Sequence, residues 1–244
     1  MNRTEKGQLY FTEQIKESAN YFDNWLYPSY YENLNNNGLP LRRSIFHQKL
    51  ENLSFGNDGY EHNSIPCNLK DGAMLINKFF KNNLGETNIR YFITLYSLLF
   101  YLQAEKCAVI YLQLGYHQKG KLDKFKWEEF PTLQKIKYWA NFFKHPKSSI
   151  FLHHPTFHLE SFQDNPNIGF KGKIDSAFVK KYFSGEKNNF KLEDLLLNQS
   201  FKVFFPDIPS FTKELCSEFE KLIDIINSEP KNIEILKKFR KKLI

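Results

Sequence analysis

Cysteine is scarce in this chain. Cys67, Cys107 and Cys216 are three in 244 residues, too few and too widely spaced for a disulfide framework. None has the close neighbour that a zinc or thiol-redox motif requires, so they are expected as free, buried thiols in a reducing cytoplasm. The opening "MNRTEKGQLYF" shows no apolar signal core, so a leader is not expected. A bilayer-length apolar run is missing as well. The longest, "YFITLYSLLFYL" at residues 91–102, is shorter than the roughly 20 residues a span needs, and no membrane partner is expected. Internal repeats and low-complexity segments are absent, and no serine stands in a G-x-S-x-G nucleophile elbow.

Core material is ample. Hydrophobic residues make up 41% and aromatic residues 17% of the chain, with 25% charged. That excludes disorder over most of the length and fits one globular unit spanning residues 1–244. The formal charge is +7, and it is uneven. Residues 131–147 carry Lys135, Lys137, Lys144 and Lys147 with no acid, and residues 231–244 carry six bases against Glu234. A cationic surface attracts nucleic acid by releasing its counterions; a solvated helix face and a basic tail would have the same composition.

Apolar periodicity predicts a mainly α fold, a multi-helix bundle with minor β content. Ile15, Ala19, Phe22 and Leu26 mark a first helix stopped by Pro28, and Ile45, Phe46, Leu50 and Leu53 a second. Residues 32–40 and 55–66 read as loops. Asp71 is the expected cap of a third helix ending near Gly85. Thr87 or Asn88 should cap the central apolar helix, about residues 88–112, which "GYHQKGKLDK" then breaks. Pro131 suits the first turn of the next helix, with Leu133, Ile136, Ala140 and Phe143 as its apolar stripe and Pro146 as its stop. Residues 148–174 read as irregular with a short strand pair. Helices follow near residues 176–183 and 192–198, then a strand at 201–205, a helix with Leu215, Phe219, Leu222 and Ile226 on one face, and a terminal helix through Ile233, Leu236, Phe239 and Leu243. Residues 71–146 form the expected helical core and 147–244 a helical elaboration of it.

Four stretches carry candidate chemistry. Residues 115–121 read G-x-x-x-x-G-K, but the next residue is Leu122, where a phosphate-binding loop needs the magnesium-ligating Ser or Thr. Cys107 or Cys216 paired with a histidine could act as a nucleophile, but both sit in apolar helical stretches, where an inert thiol is the plainer reading. His154, His158 and Glu160 could hold a divalent metal if a loop gathered them, which would make a metal-dependent hydrolase of the segment at 153–160; their spacing matches no zinc pattern, and His153 and His154 point opposite ways on a strand. Finally, Lys137, Asn141 and His145 recur at i, i+4 and i+8, a polar stripe opposite the apolar one. Imidazole moves protons near neutral pH, an amide orients a phosphate or water, and Lys137, Lys144 and Lys147 can hold a phosphate backbone. The bland counterpart is a helix-end histidine on the negative end of the helix dipole, among solvated neighbours.

"ANFFKH" at residues 140–145, following a long central apolar helix, resembles the HEPN superfamily of helical bundles. Its signature is Arg, often followed by Asn, then His four to six residues later. The resemblance maps the family's Asn to Asn141 and its His to His145, and covers about residues 71–146. The arginine position is Ala140, which cannot supply positive charge at a scissile phosphate, and a lysine nearby does not reproduce a guanidinium fork. What the resemblance implies is an RNA-directed protein of a bacterial defence or toxin–antitoxin module. If active, it would be a ribonuclease needing no metal or other cofactor; if degenerate, a binder of RNA or of a protein partner, including a second copy. The alternative is a non-catalytic helical protein that binds another chain through an apolar face.

Overall fold

The computed structural model describes residues 3–34, 40–53, 64–119, 125–144, 156–159, 173–174 and 202–241. Seven α-helices dominate them: α1 (Arg3–Leu26), α2 (Ile45–Lys49), α3 (Ile65–Asn82), α4 (Ile89–Lys119), α5 (Pro131–Lys144), α6 (Ile208–Asn227) and α7 (Pro230–Lys241). The expectation of a mainly α multi-helix bundle holds. Strands are short. β1 (Ser29–Leu34) and β2 (Pro40–Arg43) pair antiparallel, so the expected loop at 32–40 is strand at residues 32–34 and 40, while 35–39 lie outside the described residues. β3 (Thr156–Leu159) and β4 (Lys173–Ile174) flank β5 (Lys202–Phe205), both parallel to it. The expected strand around residues 156–160 therefore exists, and its partner is β5. The segments at 148–154, 176–183 and 192–198 lie outside the described residues.

Helix starts follow side-chain caps. Ser64 caps α3, accepting from the Cys67 amide, and Pro66 occupies the first turn. The expected cap, Asp71, is instead an exposed residue inside that helix. Sequence reading went astray here because Ser64 follows a turn-rich loop that hides the start. At the other end Asn83, not Gly85, is the cap residue, donating its side-chain amide to the Phe79 carbonyl at 2.7 Å. Asn88 caps α4 by accepting from the Tyr91 amide at 3.1 Å, and Asp207 caps α6 through the Ser210 amide.

α4 runs to Lys119, beyond the expected end near residue 112, and Gly115 lies within it. One glycine costs a helix only about 1 kcal/mol, which neighbouring turns can absorb. The same fact removes the strand that a phosphate-binding loop at residues 115–121 would need. The stretch Ile89–Gly115 is long and apolar enough to cross a membrane by length and composition, and half of that window is buried inside the bundle. α4 packs on α3, α5 and α6.

The core is largely aromatic. Phe22, Phe80, Phe92, Tyr96, Phe100 and Phe219 are fully buried. Tyr96 and Phe100 lie 4.5 Å apart by ring centroids, and Phe100 stacks on Phe219. Each such ring removes about 150–250 Å² from water, so truncating one costs about 3–5 kcal/mol. Polar contacts fix the helices in register. Thr212 donates to the Ile208 carbonyl, which leaves its oxygen to accept the Tyr96 phenol at 2.9 Å and pins α4 to α6. Trp25 donates to Glu220 at 2.8 Å and pins α1 to α6.

Candidate functional site

The polar stripe depends on how α5 is held. Its first turn has orphan amides, and α6 supplies the acceptor: Glu218 takes the Thr132 and Leu133 N–H groups at 3.0 and 2.7 Å. A carboxylate there also complements the positive end of the helix dipole. Leu133, Ile136, Trp139 and Ala140 are fully buried. Trp139 packs on Phe205 of β5 at 5.0 Å and on Phe143 at 6.2 Å. The predicted apolar stripe is therefore the buried face, and Ala140 is part of it.

Flanking that face stand Lys137, Asn141 and Lys144, within two turns of one another. Lys137 and Asn141 are half-buried and Lys144 is exposed. Across from them α4 presents Tyr101 and Glu105, and the short 3-10 turn Trp127–Glu129 presents Trp127. The Lys144 ammonium sits 3.8 Å from the Tyr101 ring centre, and the Lys137 ammonium 4.5 Å from that of Trp127. The two rings neighbour each other at 6.2 Å, and Phe125 supports Trp127 edge-on at 4.7 Å. On the other side of α5, Lys135 lies over Phe211 at 5.4 Å. Each α5 lysine with a described side chain thus rests on an aromatic ring, and none has a described carboxylate within salt-bridge distance.

Electrostatics separate the two stripe lysines. Burial lowers the Lys137 ammonium from its ordinary value, and the Glu105 charge partly offsets this. Burial, aided by its hydrogen bond to Glu105, raises the Tyr101 phenol well above the usual range, so the ring stays neutral beneath Lys144. The ledge has two cations on aromatic faces, an amide between them and one carboxylate behind. It can hold an anion, with the ring faces of Tyr101 and Trp127 covered by the ammonium groups.

The remaining predicted site residues are only partly placed. His145 and Lys147 lie outside the described residues, as do His153, His154 and Glu160; His158 is in β3, with no side chain described. No group of three or more metal-ligating side chains occurs among the described residues. Cys107 and Cys216 are buried. Burial pushes the Cys107 thiol up to about 12 and, with the Glu220 charge, raises that of Cys216, which suits inert thiols. Sequence reading missed the aromatic partners of the lysines. Tyr101 lies on α4, far from Lys144 in the chain; Trp127 stands just before α5, but nothing in its spacing marks it as the partner of Lys137. Comparison of the chain with protein-family models, with curated proteins and with solved structures finds no match.

Proposed function

We propose that this chain is an RNA-directed helical protein of HEPN type, of the kind found in bacterial defence and toxin–antitoxin modules. The observation that carries the reading is the set of α5 lysines, fixed on aromatic rings and left without described carboxylate partners. Charges already immobilised on rings meet a phosphate backbone at a lower entropic cost than free lysines do. In this reading Lys137 and Lys144, with Lys147 beyond the helix, contact phosphates. Asn141 orients the scissile group and His145 takes the ribose 2′-hydroxyl proton as the 2′-oxygen attacks phosphorus and the 5′-oxygen leaves. No metal or cofactor takes part.

Single-stranded RNA binding measured by anisotropy across a salt series tests this. Binding should weaken steeply with salt, and Lys137→Ala with Lys144→Ala should reduce the log–log slope by about 1.4, about 0.7 per phosphate contact. His145→Ala should abolish any cleavage while leaving binding. Absence of binding at low salt sinks the reading.

A second reading, a protein-binding bundle that pairs with another copy of itself, is favoured by the outward side of α4. Tyr91, Leu102 and Val109 share one helical face and are each about half exposed, with Leu75 of α3 also open. Light scattering over a concentration series would support it by a dimer that Leu102→Lys returns to monomer. A wild-type monomer at all concentrations excludes self-pairing.

A further inference from the structure

Away from the α5 stripe, two short capping motifs bring a thiol and an imidazole together. Ser44 caps α2 and Ser64 caps α3. In each the third residue after the serine turns back towards it: His47 in "SIFH" and Cys67 in "SIPC". Ser44 Oγ lies 2.8 Å from His47 Nδ1 and accepts the His47 backbone N–H. Ser64 accepts the Cys67 backbone N–H at 3.3 Å and donates its hydroxyl to Cys67 Sγ at 3.2 Å. Between the two motifs, His47 Nε2 is 3.3 Å from Cys67 Sγ. The serines are fully buried, while His47 and Cys67 each keep 9% of their surface.

Nucleophile, base and a third group orienting the base stand within hydrogen-bond reach of one another, the arrangement that activates a thiol. With the Nδ1 proton on Ser44 Oγ, Nε2 turns its lone pair to the thiol. The Ser64 hydroxyl and the positive end of α3 both favour sulfur in its anionic form. Acyl chemistry is poorly served here. The Cys67 and Asn68 amides are taken by Ser64, and Pro66 has no N–H, so the first turn offers no run of donors for an oxyanion. Attack on sulfur needs no such hole.

We propose that Cys67 is a reactive thiol, activated by His47, that undergoes exchange with small disulfides and is thereby a site of reversible S-thiolation. The Cys67 proton passes to His47 Nε2 and the thiolate attacks one sulfur of RS–SR. The Cys67 S–S bond forms as the S–S bond of the disulfide breaks. The departing RS⁻ takes the proton from Nε2, giving protein–S–SR and RSH; Cys67 is oxidised and one half of the disulfide is reduced.

The test treats the folded full-length chain with 2-hydroxyethyl disulfide at neutral pH and maps adducts by peptide mass spectrometry over time. Cys107 and Cys216 serve as internal controls for foldedness. Cys67 should react at least about tenfold faster than either. His47→Gln should slow Cys67 about tenfold, while Cys107 and Cys216 stay slow. Equal rates at the three cysteines in the wild-type chain overturn the proposal. So does an unchanged Cys67 rate in a folded His47→Gln variant. Should that variant unfold, as all three thiols reacting fast would report, His47→Asn takes its place, and an unchanged Cys67 rate in it refutes the activation.

Discussion

Glu218 of α6 accepts the Leu133 amide of α5 at 2.7 Å, and its other oxygen accepts the amide of Thr132. One carboxylate therefore caps a helix that belongs to a different part of the chain. Glu218→Ala should cost about 0.5–2 kcal/mol, as removal of a good N-cap does, read as a lower urea midpoint with an unchanged m-value. Glu218→Gln keeps an acceptor oxygen and should cost less. Because α5 carries the lysine ledge, the alanine variant should also weaken the RNA binding proposed for it, without touching a cation.

Ala140, which stands at the arginine position of the proposed HEPN motif, is fully buried. Ala140→Arg would push a guanidinium into the core without a carboxylate prepared for it. Overpacking and an unpaired buried charge together should cost more than about 3 kcal/mol. The expected outcome is loss of the cooperative urea transition or of soluble protein. A stably folded Ala140→Arg protein would show that this face of α5 opens more readily than its packing implies.

Gly72 allows α3 to lie close on α4. A Cβ built there would fall 2.0 Å from the side-chain oxygen of Gln103, itself buried and donating to the Leu69 carbonyl at 3.1 Å. Gly72→Ala normally stabilises a helix interior by up to about 1 kcal/mol. Here Gln103 must leave its place and surrender that bond, so a net loss of about 1–3 kcal/mol is expected. Thermal unfolding measures it, and Gly72→Ala with Gln103→Ala should recover part of the loss.

Alkaline pH should destabilise the fold through Tyr96 and Tyr101. Burial raises both phenols above the model-peptide value of about 10, with the Glu105 hydrogen bond adding to the effect at Tyr101. Once unfolded, these phenols ionise near pH 10 while the folded ones stay neutral. Their contribution is complete below pH about 10 and is lost as pH rises through the folded values. Tyrosinate absorbance should show both silent in the folded chain at pH 11, appearing only with unfolding. Tyr101→Phe should flatten the alkaline decline of the unfolding free energy.

Much of the bundle is local in origin. The alternating four- and three-residue recurrence of Ile15, Ala19, Phe22 and Leu26 predicts α1, and that of Leu215, Phe219, Leu222 and Ile226 predicts α6. In both cases these residues are the buried ones, because burying an apolar stripe is the dominant gain in folding. Pro131 at the head of α5 and Asn88 as cap of α4 are likewise local signals. The errors lie where two local signals compete. Asp71 reads as the cap of α3, but Ser64, inside a stretch that reads as loop, is the cap. Gly115 reads as a break, but α4 continues through it.

The sequence alone determined the helical class, the central apolar segment and the lysine–asparagine stripe, since these follow from spacing along one chain. Only the tertiary structure decided what the stripe faces. Tyr101 under Lys144, Glu218 at the head of α5 and His47 against Cys67 are pairings between separate segments of the chain. Contacts of that kind depend on how helices pack, and no periodicity within a single helix encodes them.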